Sequence, residues 1–458
     1  MMQEYSSRKS MLRVRELIGK DKKSAYVMTF GCQQNEADSE RIRGMAVTMG
    51  YCLAESYEDA DLIVVNTCAI REHAEMKVLS MLGNFKAEKS RNPDLIIGIV
   101  GCMAAEAHIV ELLKTRFHYV TFTIEPNMLH LLPEALLLKL ESGKRSFIIG
   151  KDEGKITEGL PCRRTSRHKA WVSIMYGCNN FCSYCIVPYT RGRERSRESS
   201  IILDECRALI ADGVKEITLL GQNVNSYKSD IDFATLVESI AKIDGDFIIR
   251  FMTSHPKDVS DRLIEVMAAY RDKVAPYFHL PLQSGSDRIL AAMNRTYTRL
   301  HFLNIAKKLR DRVPGIALST DVIVGFPGED ESDFEDTMSV LREVEFDLVY
   351  AFKFSPRKGT PASTMSEQVS ADIVDARMSR LLSMQDEISL KRNLPYSGTD
   401  VRVLVDSRSK RGENNTYTAR TASNKLVHFT SDEDHVGEFV SVTVEHAGAF
   451  ELIAKIKK

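Results

Sequence analysis

Residues 171–185, WVSIMYGCNNFCSYC, place an apolar, strand-like segment directly before three closely spaced cysteines. Cys178, Cys182 and Cys185 have the spacing C-x3-C-x2-C, so three thiolates on one short loop can converge on one metal centre. A 4Fe–4S cluster takes one thiolate per iron, and three ligands would leave one iron open to another molecule. A structural zinc site needs four nitrogen or sulfur ligands, and His168 upstream keeps that alternative open.

The chain around this loop repeats a strand–helix alternation about six times. The strand candidates are WVSIM (171–175), KEITLL (215–220), IIRFMT (248–253), YFHLPL (277–282), ALSTDVIV (317–324) and LVYAFKF (348–354). A long helical pattern closes the region at about 366–393. Six such units predict a partial (β/α)6 barrel over residues 169–392, in which functional residues follow the carboxyl ends of the strands.

A second α/β domain is predicted over residues 24–145. Its strand candidates are SAYVMT (24–29), DLIVVN (61–66) and LIIGIV (95–100). Helical stretches between such continuous apolar runs are typical of a parallel sheet covered by helices.

Three further cysteines, Cys32, Cys68 and Cys102, each come one to three residues after one of these strands. Ligand sites in open parallel sheets lie outside the strand carboxyl ends, so we expect the three thiols to meet at one edge and bind a second metal centre. The alternative is that each is a small buried hydrophobic residue.

The carboxyl-terminal part, residues 395–458, changes character. Its strand candidates are VRVLV (401–405), TYTAR (416–420), LVHF (426–429) and EFVSVTV (438–444). They alternate apolar and polar residues without long helices, which predicts a small antiparallel β-barrel. Residues 146–168, rich in charge and glycine, are predicted to be a linker.

Length, charge and cysteine count limit the possible domain number and class of protein. A chain of 458 residues predicts about three domains, and a net charge of -1 means that any nucleic-acid surface must be local. We find no apolar run near the ~18–20 residues that span a bilayer and no secretory signal, so we expect a cytoplasmic protein without membrane association. The odd count of nine cysteines argues against a disulfide framework. Nothing indicates an obligate partner, so a monomer is expected.

The C-x3-C-x2-C motif after the first strand of a six-unit barrel resembles the radical S-adenosylmethionine (SAM) enzymes. The resemblance implies a 4Fe–4S cluster whose open iron binds SAM, and one-electron cleavage of SAM to a 5′-deoxyadenosyl radical. Polar loops follow the next four strands and are suited to a nucleoside with an amino-acid group, although each loop alone is typical of a turn. The predicted cofactor-binding residues are Gln222, Asn223, Thr253, Ser254, Gln283, Ser284 and Gly325.

Both cysteine triads together resemble the methylthiotransferase branch of this family, over about residues 24–458. The resemblance implies a second 4Fe–4S cluster on Cys32, Cys68 and Cys102 that carries the sulfur to be transferred. It also implies two SAM molecules per turnover, a low-potential electron donor, a sulfur donor and an RNA-binding TRAM domain at the carboxyl terminus. The target carbon bears an unactivated hydrogen, so no side chain is nominated as a general base.

Several stretches look like the MiaB-like branch, which adds a methylthio group to C2 of N6-isopentenyladenosine beside the anticodon of tRNA. These stretches are NTCAIREH (66–73), PYTRGRERSR (188–197), GQNVNSY (221–227) and TSHP (253–256). Phe30 and Gln34 depart from the branch pattern. The alternatives are action on threonylcarbamoyl-adenosine of tRNA, action on a ribosomal protein side chain, and a non-enzymatic iron–sulfur protein that binds RNA or carries electrons.

A local excess of positive charge also indicates an RNA substrate, independently of the family resemblance. Between Cys162 and Arg197 there are eight Lys and Arg residues against one acidic residue, Glu194. The predicted RNA contacts are Arg191, Arg193, Arg195, Arg197, Lys410 and Arg411, which would grip the anticodon stem-loop mainly through phosphates. The alternatives are a solvated basic face, or arginines that brace the cysteine loop.

Overall fold

The computed structural model describes residues 2–19, 21–69, 72–150, 156–409 and 415–457. The chain forms two compact units. The first comprises Met1–Thr165, Tyr176–Asn179 and Cys185–Arg195, and the second comprises Ser166–Met175, Asn180–Tyr184 and Ser196–Lys458. Within the ranges just given, no helix combines the length and apolar character needed to cross a bilayer.

The first unit is built on a six-stranded parallel sheet. In chain order its elements are α1 (Met2–Ile18), β1 (Ser24–Thr29), α2 (Gln33–Thr48), β2 (Cys52–Leu53), β3 (Leu62–Thr67), α3 (Glu72–Arg91), β4 (Ile96–Gly101), α4 (Ala107–Thr115), β5 (Phe122–Ile124), α5 (Leu132–Ser142) and β6 (Ser146–Ile148). The strand order is β2-β1-β3-β4-β5-β6, and all pairs are parallel. β3 and β4 are buried along their whole length, as strands with apolar cores on both faces must be.

The three predicted strands of this sheet are confirmed to within one residue, because each is a long apolar run. The predicted linker begins too early, since β6 lies at 146–148 and pairs with β5 at the sheet edge. An edge strand of three half-buried residues has no continuous apolar run to reveal it.

The remaining elements begin with the barrel. In chain order they are β7 (Lys169–Ser173), β8 (Met175–Tyr176), α6 (Val187–Thr190), β9 (Arg195–Ser196), α7 (Ser199–Ala211), β10 (Glu216–Leu220), α8 (Phe233–Ala241), β11 (Ile248–Phe251), α9 (Asp261–Ala269), β12 (Tyr277–His279), α10 (Asp287–Ala292), α11 (Arg299–Arg312), β13 (Ala317–Val324), α12 (Glu331–Val344), β14 (Leu348–Lys353) and α13 (Ala371–Asn393). Short 3-10 helices cover Cys102–Ala105, Pro126–Leu131, Val224–Ser226, Pro256–Asp258, Pro361–Thr364 and Leu394–Tyr396.

Six parallel strands of the second unit form the partial barrel. β7, β10 and β11 make one three-stranded sheet, and β12, β13 and β14 make another. A parallel bridge between Ile249 and Val274 joins the two sheets. The predicted (β/α)6 arrangement is therefore confirmed, with its apolar outer face packed against the helices.

The carboxyl-terminal domain is a closed five-stranded barrel. Its strands are β15 (Asp400–Arg408), β16 (Thr416–Thr421), β17 (Leu426–Thr430), β18 (Phe439–Ala447) and β19 (Glu451–Ile456), in the order β15-β16-β17-β19-β18. The small barrel was predicted, but β19 was not, and it pairs in parallel with β17 rather than antiparallel. Alternation along each strand does not reveal strand direction, which depends on how the chain closes the barrel.

Buried charges fix this small barrel to the amino-terminal ends of the larger barrel's strands. Arg250 of β11 donates hydrogen bonds to the carbonyl oxygens of Thr421 and Ala422, both 2.8 Å long, and its Nε donates to Glu216 Oε2 at 2.6 Å. Lys425 Nζ lies 2.7 Å from Asp347 Oδ1. The β16–β17 turn is thus bonded to both sheets of the barrel.

We predict that Arg250→Met destabilises the second unit by about 3 kcal/mol, because Glu216 would lose its closest cation and two buried carbonyls would lose their donors. The readout is the midpoint of urea unfolding, followed by circular dichroism. The matched control is Asp246→Asn, which removes an exposed ion pair with Arg402 and is expected to cost less than about 1 kcal/mol. Equal midpoints for the two variants would contradict the role given to Arg250.

Candidate iron–sulfur and cofactor sites

Three cysteines of the first unit follow three neighbouring parallel strands. Cys32 caps the amino terminus of α2 after β1, Cys68 follows β3 directly, and Cys102 follows β4 directly. Because β1, β3 and β4 are adjacent and parallel, their carboxyl ends share one edge of the sheet. The structure thus places all three residues where the strand pattern predicted them.

Two glycines allow the backbones at these strand ends to approach closely. Gly31, before Cys32, has φ +148°, and a Cβ there would lie 2.9 Å from Cys68 Cβ. Gly101, before Cys102, has φ +94°, and a Cβ there would lie 2.4 Å from the carbonyl oxygen of Thr67. Each position therefore requires glycine for both its conformation and its space.

A buried amide network supports the same edge. Asn35 Nδ2 donates to Asn66 Oδ1 at 3.0 Å and to the Thr67 carbonyl at 2.9 Å, and its Oδ1 accepts from Cys32 Sγ at 3.3 Å. Asn66 Nδ2 donates back to the Asn35 carbonyl at 2.8 Å and to Ser39 Oγ at 3.0 Å. These bonds lock the β1 and β3 ends together, so the cysteine loops have little freedom to separate.

A buried arginine reaches the third cysteine. Arg191 is 3% exposed, and its Nε donates to Cys102 Sγ at 3.2 Å while its Nη2 lies 3.1 Å from Asp38 Oδ2. Burial lowers the pKa of Arg191, but the charges of Cys102, Asp38 and Cys32 raise it more, so the guanidinium remains protonated. Burial raises the pKa of the Cys102 thiol, and Arg191 opposes that rise.

The donor set of this edge is three cysteine thiols, one for each of three irons of a 4Fe–4S cluster. Among the residues with described positions, no three His, Cys, Asp or Glu side chains are grouped closely enough to hold one metal ion. In a 4Fe–4S cube each thiolate binds a different iron, so its ligands stand farther apart than those of one ion. Three thiols at one edge, with a hydrogen-bond donor already directed at one sulfur, fit such a cube.

The C-x3-C-x2-C cysteines are divided between the units. In the first unit, the amide nitrogen of Cys178 donates to the Gly192 carbonyl at 3.1 Å, and Cys185 is half-buried. In the second unit, Cys182 is buried and its Sγ accepts from Arg295 Nη1 at 3.5 Å. The motif therefore has a guanidinium directed at one of its sulfurs, as the first triad has.

The predicted cofactor loops lie at the carboxyl ends of the barrel strands. After β10, the Asn223 side chain donates to Asp258 Oδ2 at 2.7 Å, while its own Oδ1 is buried without a hydrogen-bond partner. Thr253 and Gln283 have left-handed backbones, with φ +65° and +67°. Strain of this kind in non-glycine residues costs about 1–3 kcal/mol and clusters at functional sites.

Three of the residues predicted to contact the cofactor already make hydrogen bonds to other protein groups. Ser254 is buried and donates to the His279 carbonyl. Ser284 is fully buried, and its hydroxyl lies 3.4 Å from Thr337 Oγ1. The Gly325 amide donates to Glu329 Oε2 at 2.8 Å, and burial raises the pKa of Glu329 to about 7. Gln222 is half-buried beside Asn223, and its cofactor contact stays a prediction.

The predicted RNA-binding arginines separate into buried and exposed residues. Arg191 and Arg197 are buried and bonded to protein groups, Arg197 donating to the Ser173 carbonyl at 2.6 Å, so we no longer place them among the RNA contacts. Arg195 is half-buried and donates to Asn127 Oδ1 at 2.6 Å, whereas Arg193 is exposed. Lys410 and Arg411 lie outside the described residues. A sequence count of charges does not distinguish a bracing arginine from a solvated one.

Sequence reasoning missed four polar residues of these sites: Asp38, Asn35, Asn225 and Arg295. Asn225 is buried, and both polar atoms of its amide lack hydrogen-bond partners, which suits a ligand site. Asn35 could have been found from its position three residues after Cys32 on the first turn of a helix. Asp38 and Arg295 had no local signal, because their partners are distant in the chain.

Comparisons with known proteins agree with this organisation. Residues 172–341 match the Radical SAM superfamily, residues 24–124 match Uncharacterized protein family UPF0004, and residues 395–457 match the TRAM domain. The solved structure of the radical S-adenosylmethionine methyltransferase TsrM from Kitasatospora setae has a similar fold, with a TM-score of 0.56. It shares 13% identity, over 74% of this chain and 75% of that chain.

Curated relatives are much closer in sequence. A tRNA-2-methylthio-N(6)-dimethylallyladenosine synthase from Alkaliphilus oremlandii is 48% identical over 96% of this chain and 93% of that protein. Proteins of the same name from Clostridium botulinum and a Thermoanaerobacter species are 47% and 46% identical, each over 93% of this chain and over 95% and 91% of their own lengths.

We predict that Gly101→Ala destabilises the first unit by about 2–3 kcal/mol, because a methyl group would be forced against the Thr67 carbonyl at positive φ. The control is Gly83→Ala in α3, where a Cβ meets nothing within 4 Å, and the change is expected to stabilise by up to about 1 kcal/mol. Thermal melting by circular dichroism compares the two. A melting temperature for Gly101→Ala at or above that of the parent would contradict this account of the β4 end.

Proposed function

Because the chain belongs to the tRNA-2-methylthio-N(6)-dimethylallyladenosine synthase family, we propose that it adds a methylthio group to C2 of N6-isopentenyladenosine (N6-dimethylallyladenosine) beside the anticodon of tRNA. The relatives cover nearly the whole chain, so the proposal concerns the complete three-domain arrangement. The observation that carries it is the placement of Cys32, Cys68 and Cys102 after three adjacent parallel strands, in a chain that also has the radical SAM cysteine motif.

The proposed centres are two 4Fe–4S clusters. Cys178, Cys182 and Cys185 would hold the first, and with SAM bound this centre supplies one-electron cleavage of the sulfonium and hydrogen abstraction or radical attack at C2. Cys32, Cys68 and Cys102 would hold the second, which carries the sulfur. Two SAM molecules per turnover would be consumed, one for the radical and one for the methyl group. A low-potential electron donor and a sulfur donor complete the proposed partners.

The protein's own residues bind and orient. Arg191 and Arg295 donate to cysteine sulfurs and offset negative charge there. Asn223, Asn225 and Gln222 present amide groups after β10, where we place the methionyl part of SAM. Thr253, Gln283 and Gly325 lie at the neighbouring strand ends, all three with positive φ. No side chain is assigned a general-base role, since an unactivated C–H bond does not yield to one.

RNA binding is assigned mainly to the carboxyl-terminal barrel, which matches the TRAM domain. Exposed Arg193 and half-buried Arg195 would add contacts, and Lys410 and Arg411 belong to the proposal without structural support. Such contacts are mostly to phosphates and weaken as salt rises. We propose that the enzyme acts as a monomer in the cytoplasm.

The decisive experiment is an anaerobic reaction of the reconstituted protein with SAM, a reductant and tRNA. One tRNA sample carries N6-isopentenyladenosine, a second carries threonylcarbamoyl-adenosine, and a third reaction replaces tRNA with ribosomal protein. Mass spectrometry of the products should show a methylthio group in the first sample alone. Methylthiolation of either other substrate, with none in the first, would overturn the proposal.

We predict that Cys102→Ala abolishes methylthiolation but leaves SAM cleavage to 5′-deoxyadenosine, because the sulfur-carrying cluster alone loses a ligand. Cys182→Ala should abolish both reactions. Cys52→Ala is the matched control, since Cys52 is exposed and belongs to neither triad. Normal methylthiolation by Cys102→Ala would show that the second triad does not carry the sulfur.

We also predict that Arg191→Gln weakens the second cluster. The variant should hold fewer than the about eight irons per chain expected for two clusters. The cluster that remains should have a more negative reduction potential, because a charged hydrogen-bond donor to sulfur stabilises the reduced form. Iron analysis and a redox titration followed by electron paramagnetic resonance measure both, with exposed Arg193→Gln as the control. An unchanged iron content and potential would exclude this role for Arg191.

A further inference from the structure

The last strand of the large barrel, β14, exposes two aromatic side chains. Tyr350 is 38% exposed and Phe352 is 43% exposed. They are two residues apart, so they point to the same face of the strand. In the strand order β14 lies at the end of its sheet, with β13 as its neighbour within the described part of the chain. The exposure of both rings leaves this side of β14 accessible to a ligand.

The contacts of the neighbouring residues show which face this is. Val322 and Val349 belong to the apolar core that also contains Phe334 and Met338 of α12 and Leu381 of α13. That core occupies the helix-covered outer face of β13 and β14. Tyr350 and Phe352 have the opposite parity, so they face the interior of the barrel.

The interior face changes from polar to apolar along β14. Beside Tyr350 in register lies Asp321, whose Oδ2 is 3.3 Å from His279 Nε2, and the rings of His279 and Tyr350 are 5.9 Å apart. Beside Phe352 in register lies Ile323, which is half-buried. The surface thus presents two aromatic rings, with hydrogen-bonding groups at one end and hydrocarbon at the other.

This combination fits one chemical class of ligand, a planar purine base with an apolar substituent. Stacking of a base on an aromatic side chain contributes about 1–3 kcal/mol to the binding free energy. Burial of aliphatic carbons on the same surface adds a hydrophobic contribution. A phosphate would gain little from two rings and an isoleucine.

We propose that Tyr350 and Phe352 form the wall on which the substrate adenine packs, with the N6-isopentenyl group over Phe352 and Ile323. The inference rests on the proposed function and goes beyond it, because it identifies the residues that distinguish a prenylated adenosine from an unmodified one. Tyr350 and Phe352 are positioning and specificity residues that contact the base. Ile323 completes the apolar end of the wall.

The test uses the full-length, reconstituted protein and two anticodon stem-loop RNAs, one with N6-isopentenyladenosine and one with unmodified adenosine. The parent should bind the prenylated RNA more tightly. Phe352→Ala should weaken binding of the prenylated RNA on the order of ten- to a hundredfold and change binding of the unmodified RNA much less. Phe352→Tyr retains the ring and should restore most of the affinity. Leu300→Ala in α11, a 68% exposed apolar residue outside the wall and outside the RNA-binding barrel, is the control.

Two further readouts separate this wall from a structural role and from the proposed function. Formation of 5′-deoxyadenosine without RNA, and iron content, should be the same in Phe352→Ala as in the parent. If Phe352→Ala keeps the parent's preference for prenylated RNA, or if its iron content and SAM cleavage fall together with binding, the wall is wrong. Failure of the parent itself to methylthiolate the prenylated RNA would instead overturn the proposed function.

Discussion

β1, β3 and β4 lie side by side and run in one direction, and the candidate sulfur-carrying site depends on that pairing. Parallel neighbours bring their carboxyl ends to a common edge, and each of these three strands is followed at once by a cysteine loop. Gly31 and Gly101 let the loops approach, and the Asn35–Asn66 network prevents them from separating. If β4 paired elsewhere in the sheet, Cys102 would leave this edge and the donor set would lose a thiol.

Three pairs of buried, charged side chains hold parts of this protein in a fixed geometry. Arg191 lies between Cys102 and Asp38, Arg250 lies against Glu216, and Lys425 lies against Asp347. Burying an ion pair costs several kcal/mol of desolvation, and the mutual attraction repays this only when the geometry is good and the remaining polar groups are bonded. Such pairs add little net stability to the fold. An arrangement that left one of the buried charges unpaired would be strongly disfavoured, so each pair selects the arrangement in which both partners meet. In this chain they position Cys102, a candidate cluster ligand, and the carboxyl-terminal barrel.

The polar groups at the two ends of the large barrel differ in what they contact. At the amino-terminal ends of its strands, the β16–β17 turn satisfies Arg250 and Asp347. At the carboxyl-terminal ends, Asn225 keeps a buried amide without protein partners, and Thr253 and Gln283 have strained backbones. Unsatisfied and strained groups are costly, so we expect a bound ligand to compensate for those at the carboxyl-terminal ends.

The sequence by itself determined the α/β fold class, with a parallel sheet, a partial barrel and a small β-barrel in that order, because long apolar runs at strand–helix spacing leave few alternatives. It also located both cysteine triads, since each cysteine stands at a fixed distance from a recognisable strand. The short edge strand β6 was not readable, because it has no continuous apolar run. Strand β19 and its parallel pairing with β17 were also missed, because alternation along a strand does not reveal its direction.

Only the tertiary structure decided what the polar side chains do. Arg191, Arg193, Arg195 and Arg197 look equivalent in sequence, yet two are buried against sulfur, carboxylate or carbonyl groups and one is exposed. Asp38, Ser284 and Arg295 likewise take their roles from partners far away in the chain. The physical reason is that apolar periodicity is a local property of the backbone, whereas the fate of a charge or a hydroxyl depends on which distant atoms folding brings within hydrogen-bond distance.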